Sequence, residues 1–271
     1  MSVSLNSLKF GKIDKTWEKY KLYQVHLNFN NRPTKYKAII KNNQLVAILG
    51  KSYKLLPNEE AIKMANEIAS SIGAVPFKQD NLFRDNLFFN KKQTRVYIKY
   101  IIPNEKYEID GKDVCQLGFS ITNGIDGGLA FGVTGFTFRE ICSNGVMLGY
   151  KALTRYYRKH TARFEINIDK IKKTLEDVLN QTRKVLKNYA KLVTIELNEE
   201  IAQAIAKSKL PRKLLPDYIE TEKDKLVRFD ASKTLWDVYN DLTANIWHNM
   251  KTDIDTKKTQ FDVLHQIIKV I

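Results

Sequence analysis

GFSITNGIDGGLAFGVTGFTFREICSNGVMLG, residues 118–149, holds eight of the chain's twelve glycines and sets the reading of everything around it. Glycine is selected where φ must be positive or where backbone must approach something closely, and Asn-Gly and Asp-Gly pairs make tight turns. Three such pairs occur here: Asn123-Gly124, Asp126-Gly127 and Asn144-Gly145. Residues 129–141 are rich in Phe, Val and Thr and broken by Gly132 and Gly135, the pattern of a bent or bulged strand. A strand held between turns is either a functional centre or the bend of a curved sheet. Arg139, beside Glu140 in this apolar strand, needs a partner, and Asp126 or a phosphate is the expectation. Asp126 reads first as a turn former and second as a general base.

Working outward, the preceding segments read as hairpins. Residues 20–29 and 34–41 alternate around Asn30-Asn31-Arg32-Pro33, and residues 44–49 follow as a further strand. Residues 87–90 and 94–102 pair around Lys91-Lys92-Gln93, and residues 107–110 and 114–122 around Asp110-Gly111, giving a sheet of six to eight strands. One helix intervenes, with Asn58 as N-cap, Glu59 and Glu60 in its first turn and Gly73 at its end. Its face of Ala61, Ile62, Ala65, Ile68, Ala69 and Ile72 packs on the sheet. Beyond residue 149 the apolar period becomes 3.6, predicting helices over 169–191, 198–207, 232–250 with Ser232 as cap, and 257–270, while 212–229 reads as loop or short helix. The fold class is therefore α+β. A mostly antiparallel sheet with a packed helix and glycine-rich centre occupies residues 1–150, and a basic, mainly helical region occupies 151–271, as one continuous domain or two.

The net charge of +15 is the strongest global signal, since so basic a surface attracts polyanions. Between residues 150 and 191 twelve Lys or Arg face four Asp or Glu, more than half of the excess in 42 residues. Clustering of this kind favours a patch over the lysine loading of an A/T-rich genome. Arg155, Tyr156, Tyr157, Arg158, Lys159 and Arg163 combine guanidinium and ammonium groups with stackable rings, the mixture that single-strand binders use. Lys172 and Lys173 extend the patch along the first long helix. Alternation over residues 95–100 puts Arg95, Tyr97 and Lys99 on one sheet face, as a solvated face or a platform for phosphates and bases.

Other chemistry is poorly supplied. No Gly-Lys-Ser/Thr follows a glycine cluster and no G-x-G-x-x-G opens a helix. The histidines His26, His160, His248 and His265 show no ligand spacing, and Cys115 and Cys142 form no zinc or disulfide pattern. The expectation is no cofactor, no metal and no catalysis. No apolar run reaches membrane-spanning length and the start lacks a secretory core, so the cytoplasm, a host's if the chain is viral, is the expected location.

Asn123, Asp126 and Gly127, then Arg139, Cys142 and Asn144, follow an Asn-x-x-Asp-Gly turn, strand, Arg-x-x-Cys-x-Asn order. In this the chain resembles a family of phage- and plasmid-encoded proteins, domain of unknown function 932. Gly50, Tyr53, Pro57, Asn58 and Glu59, and later Trp236, Asn240, Thr243 and His248, extend the resemblance over most of the chain. Ile125 stands where members commonly carry His before the Asp-Gly pair. The family brings no established activity.

The reading is thus a mobile-element protein that binds nucleic acid, single-stranded DNA above all. It would promote annealing in replication or recombination and would assemble as a homo-oligomer. The alternatives are an interaction protein that binds an acidic host defence or replication factor, and a nuclease centred on Asp126, Arg139 and Cys142.

Overall fold

The computed structural model describes residues 8–77, 86–111, 113–139, 144–147, 156–249 and 251–268, and in 144–147 the backbone only. Its first unit is a four-stranded antiparallel sheet in sequence order: β1 (Leu8–Asp14), β2 (Leu22–Phe29), β3 (Arg32–Lys41) and β4 (Gln44–Gly50). The turns explain its regularity. Asn30-Asn31 and Asn42-Asn43 all have positive φ, the requirement of a two-residue hairpin turn with the handedness of twisted strands, and asparagine tolerates it.

Helix α1 (Asn58–Ser71) follows, then the main sheet: β5 (Val75–Pro76), β6 (Leu87–Phe89), β7 (Arg95–Ile109), β8 (Asp113–Gly124), β9 (Phe131–Arg139), β10 (Asn144–Met147) and β11 (Tyr156–Arg158). Its seven strands occupy five positions. β5 and β6 share one edge of β7, and β10 and β11 share one edge of β9. Both hairpins expected over residues 87–122 are present, β6 pairing with β7 and β7 with β8, the latter turned by Asp110-Gly111 at positive φ, but their shared strand β7 runs unbroken from Arg95 to Ile109. A register shift between Ile101 and Lys106 absorbs the break in alternation.

Among the described residues four α-helices come afterwards, α2 (Ile168–Leu192), α3 (Glu199–Ala206), α4 (Leu235–Trp247) and α5 (Ile254–Ile268). The region beyond residue 150 is not purely helical. It contains β11, and residues 212–229, expected as loop or short helix, form a short 3-10 helix (Arg212–Leu214) followed by a hairpin of β12 (Ile219–Glu222) and β13 (Lys225–Phe229). Lys223 at positive φ closes that hairpin. A single hydrophobic core joins the halves, containing Ile98, Phe119 and Phe136 of the sheet with Tyr189, Trp236 and Phe261 of the helices. Among the described residues no helix is long and apolar enough to cross a membrane.

Caps correct several expected boundaries. Asn167 and Asn198 cap α2 and α3, accepting from the Lys170 and Ile201 amides. The α4 cap is Thr234, not Ser232, because Thr234 and Asp237 form a reciprocal capping box while Ser232 bonds Asp230 instead. Asn58 lies inside α1 and its side chain makes no cap; Pro57 precedes the helix. The last helix begins at Ile254 rather than 257, since the Asp253 carboxylate accepts from the Thr256 amide.

Helices cover both faces of the main sheet, which corrects the expected open platform. On one face Tyr100 donates to Asn66 of α1 and Thr137 meets Tyr189 of α2. On the other, Tyr97 donates to Asp255 of α5, and Lys99 lies under Trp247 of α4. Lys99 is fully buried, its ammonium nitrogen 3.8 Å from the Trp247 ring centroid, 4.4 Å from Phe88 and 4.6 Å from Phe136, with no hydrogen-bond partner. Burial, then the nearby Lys257 charge, holds its pKa well below the usual lysine range. It cannot touch a phosphate. An unbonded buried amine costs about 1–3 kcal/mol. Lys99→Met is therefore expected to raise stability by about that amount, read as a higher midpoint in chemical denaturation; a lower midpoint would show that the cage of rings stabilises the amine.

Candidate functional site

The Asp-Gly turn is built on buried amides and carboxylates. At the end of β8, Asn123 is fully buried and donates to the Leu56 carbonyl (3.0 Å) and to Asn58 Oδ1 (2.9 Å), fixing the turn to the start of α1. Tyr53 donates to the Gly124 carbonyl at 2.9 Å. Asn123-Gly124 is thus strand rather than turn, and its asparagine serves as a bridge. The chain reverses over residues 125–129, with Gly127 at φ +76°. A Cβ on Gly128 would overlap the Arg95 guanidinium, so this glycine lets the arginine lie on the turn.

Asp126 accepts from Arg95 Nε (2.9 Å), Thr94 Oγ1 (2.9 Å) and the Gly128 amide (2.9 Å). Burial alone would raise its pKa, but the Gly128 amide, Arg95 and Thr94 together hold the carboxyl below the usual range. Arg95 also donates to Asp255 Oδ2 at 3.0 Å, and Asp255 accepts from Tyr97 at 2.5 Å. Burial and then the Asp255 bond push the Tyr97 phenol up. This network fixes the turn and ties it to α5.

One face of the turn opens on a cleft of about 420 Å³. Gly127, Gly128 and Leu129 line it on one side, and Tyr157 of β11 with Lys159 and His160 just after that strand on another, together with Tyr53. His160 is 5% exposed, stacked between Tyr53 (5.2 Å) and Phe164 (4.5 Å). Its Nδ1 lies 3.0 Å from the Lys54 carbonyl. A carbonyl only accepts, so Nδ1 carries the proton and Nε2 the lone pair. Burial, opposed by the Lys54 bond, lowers its pKa to about 4. Lys159 is exposed, and no carboxylate lines the cleft among the described residues.

The expected binding residues divide accordingly. Arg95 is held by Asp126 and Asp255, and Arg139 by Asp113 at 2.6 Å, not by Asp126. With Tyr97 and Lys99 buried, the Arg95–Tyr97–Lys99 face is structural. Tyr156 is also buried, under the Arg158 guanidinium at 4.8 Å. Tyr157, Arg158 and Lys172 are half-buried, and Lys159, Arg163 and Lys173 are exposed. Arg155 and Cys142 lie outside the described residues. Asn144 opens β10 opposite Arg139 instead of forming a turn, and nothing is described of its side chain. Asp126 and Arg139 sit in separate ion pairs, so they do not make the single centre a nuclease reading requires. Among the described residues no group of His, Cys, Asp and Glu could hold a metal. Residue spacing alone concealed Tyr53 and Asp255, which reach the turn from 73 and 129 positions away.

The site defines an α+β protein organised on antiparallel sheets around a rigid Asp-Gly turn. Residues 46–268 match the family described as Domain of unknown function (DUF932), and the chain belongs to it. The family-pattern residues Tyr53, Asn58, Asn123, Asp126 and Gly127 are the ones that meet at the turn. No curated protein and no solved structure matches the chain.

Proposed function

We propose that this protein binds single-stranded nucleic acid, DNA foremost, without enzyme chemistry, and that as a mobile-element protein it promotes strand annealing in the cytoplasm. One observation carries the reading: the glycine turn and the basic-aromatic segment, read separately from the sequence, line the same cleft. Glycine backbone admits close approach, Tyr157 offers a ring for stacking, and Lys159 with Arg163, Lys172 and Lys173 supplies cations for the backbone. Among the described residues no carboxylate lines the cleft, which suits an anionic ligand. Stacking is sequence-tolerant, because every base presents a π-face.

Fluorescence anisotropy with single- and double-stranded oligonucleotides tests it. The wild type should bind the single strand more tightly, and Lys159→Ala/Arg163→Ala should weaken binding roughly tenfold at physiological salt, each lost phosphate contact being worth up to about 1 kcal/mol. Equal binding by wild type and variant would remove the cleft from the account.

A further inference from the structure

Among the described residues, the apolar cluster on the outer face of the β1–β4 sheet is made of the sheet's own side chains. Cross-strand register puts Phe10 opposite Leu27, Ile13 opposite Val25, Val25 opposite Ala38, and Ala38 opposite Ile48, all on one face, with Tyr23, Ile40 and Leu45 in the next row. Tyr36, opposite Gly50, shares it. Among the described residues, Val25, Leu27 and Ala38 form a small buried cluster against which Tyr23 and Ile40 pack. Around them Phe10 is 70%, Leu45 60%, Ile48 50% and Tyr36 45% exposed. An apolar patch of this extent on a protein surface marks a binding site.

Charge selects the occupant. Residues 8–54 contain eleven Lys or Arg against two acids, and no Asp or Glu occurs between Lys19 and Asn58. Lys12, Arg32, Lys35 and Lys51 are exposed and make no ion pair among the described residues. Lys35 lies 5.6 Å from the Tyr36 ring centroid, and the Lys51 amide donates to the Lys35 carbonyl. Rings on an open sheet face with cations at its margin suit a chain of bases on a phosphate backbone. A second copy would set two strongly basic sheets face to face, which like-charge repulsion opposes.

We infer that the outer face of β1–β4 is a base-stacking platform for single-stranded nucleic acid, with Phe10 and Tyr36 as its rings and Lys12, Arg32, Lys35 and Lys51 as its phosphate contacts. It rests on the reading of the protein as a single-strand binder but uses a surface remote in sequence from the cleft segment. Phe10 on β1 and Tyr36 on β3 stand about 10 Å apart on either side of β2, neighbouring strands being about 4.8 Å apart, so the two rings hold separate bases. β1, β2 and β3 precede residues 46–268, the stretch matched by the family.

The test compares wild type, Phe10→Ala/Tyr36→Ala, Lys12→Ala/Lys35→Ala and Lys159→Ala/Arg163→Ala for binding a labelled oligo-dT across a salt series. Anionic-lipid vesicles and sedimentation serve as parallel readouts, and the melting temperature checks folding. The ring variant should lose about tenfold in affinity per ring with its salt slope unchanged, and the lysine variant should show a shallower slope. Unaltered oligo-dT binding in the ring variant, with loss in the cleft variant, overturns the platform and leaves the proposed function standing. No binding by the wild type removes both. Loss of vesicle binding or self-association in the ring variant, with oligo-dT binding unmoved, overturns the platform and assigns the face to that partner.

Discussion

Replacing Asp113 by alanine is expected to destabilise the protein by about 3–5 kcal/mol, the largest effect of any single substitution considered, because it breaks a buried ion pair by removing one partner. Asp113 opens β8 and is 7% exposed. Its carboxylate accepts from Arg139 of β9 at 2.6 Å and from the Trp236 indole of α4 at 2.7 Å, and the guanidinium lies 5.9 Å from that indole ring. One side chain thus ties two strands to the helical layer. Removal takes the acceptor from the Trp236 N–H and the Asp113 partner from the Arg139 guanidinium in a low-dielectric setting, where each loss is costly. Urea denaturation gives the number. A loss under 1 kcal/mol would mean that water or a rearranged neighbour replaces the carboxylate.

The second large effect is on acid stability. His160 and His265 are both buried, and burial lowers each pKa to about 4 from an ordinary 6.5. His265 Nε2 lies 3.0 Å from the Tyr239 hydroxyl, which is itself 2.9 Å from that of Tyr189, so the ring is locked in a relay joining α2, α4 and α5. In the unfolded chain each histidine takes up a proton below pH 6.5, while the folded protein refuses it until about pH 4. Protonation therefore favours unfolding, and stability falls as pH drops through 6.5 towards 4 and levels off below. By pH 5 the loss is roughly 1–2 kcal/mol per histidine. Asp14, Glu105 and Asp126, with pKa values held low, add their loss only at lower pH. Melting temperatures at pH 7.5, 6, 5 and 4.5 should descend, and His160→Asn/His265→Asn, less stable at pH 7.5, should descend less. A flat profile between pH 7.5 and 5 in the wild type would contradict the assignment.

Local signals carried the secondary structure where turn chemistry was explicit. Asn30-Asn31 and Asp110-Gly111 are legible because positive φ demands those residues. The β12–β13 hairpin was not, because its turn uses Lys223 at positive φ, a residue without turn preference. Alternation correctly placed Arg95, Tyr97 and Lys99 on one face, but periodicity does not say what covers a face. Trp247 and Asp255 do so from more than 140 residues away. The cleft was legible only as two unconnected signals, since β11 pairing with β9 at Val133, Gly132 and Phe131 is what brings Tyr157 beside the turn. The acid-free run ahead of Asn58 stands in plain view in the sequence. Its meaning depends on the exposure of Phe10, Tyr36, Leu45 and Ile48 beside it, which only the structure shows.

The most direct test of the central claim is the salt dependence of oligo-dT binding by the wild-type protein. Single strands release about 0.7 counterion per neutralised phosphate. Contacts from Lys159, Arg163, Lys172 and Lys173 therefore predict a slope of log affinity against log salt of about −3, steeper if the outer sheet also engages. A slope near zero, or no binding at physiological salt, would contradict the account and leave the basic surface to solvation alone.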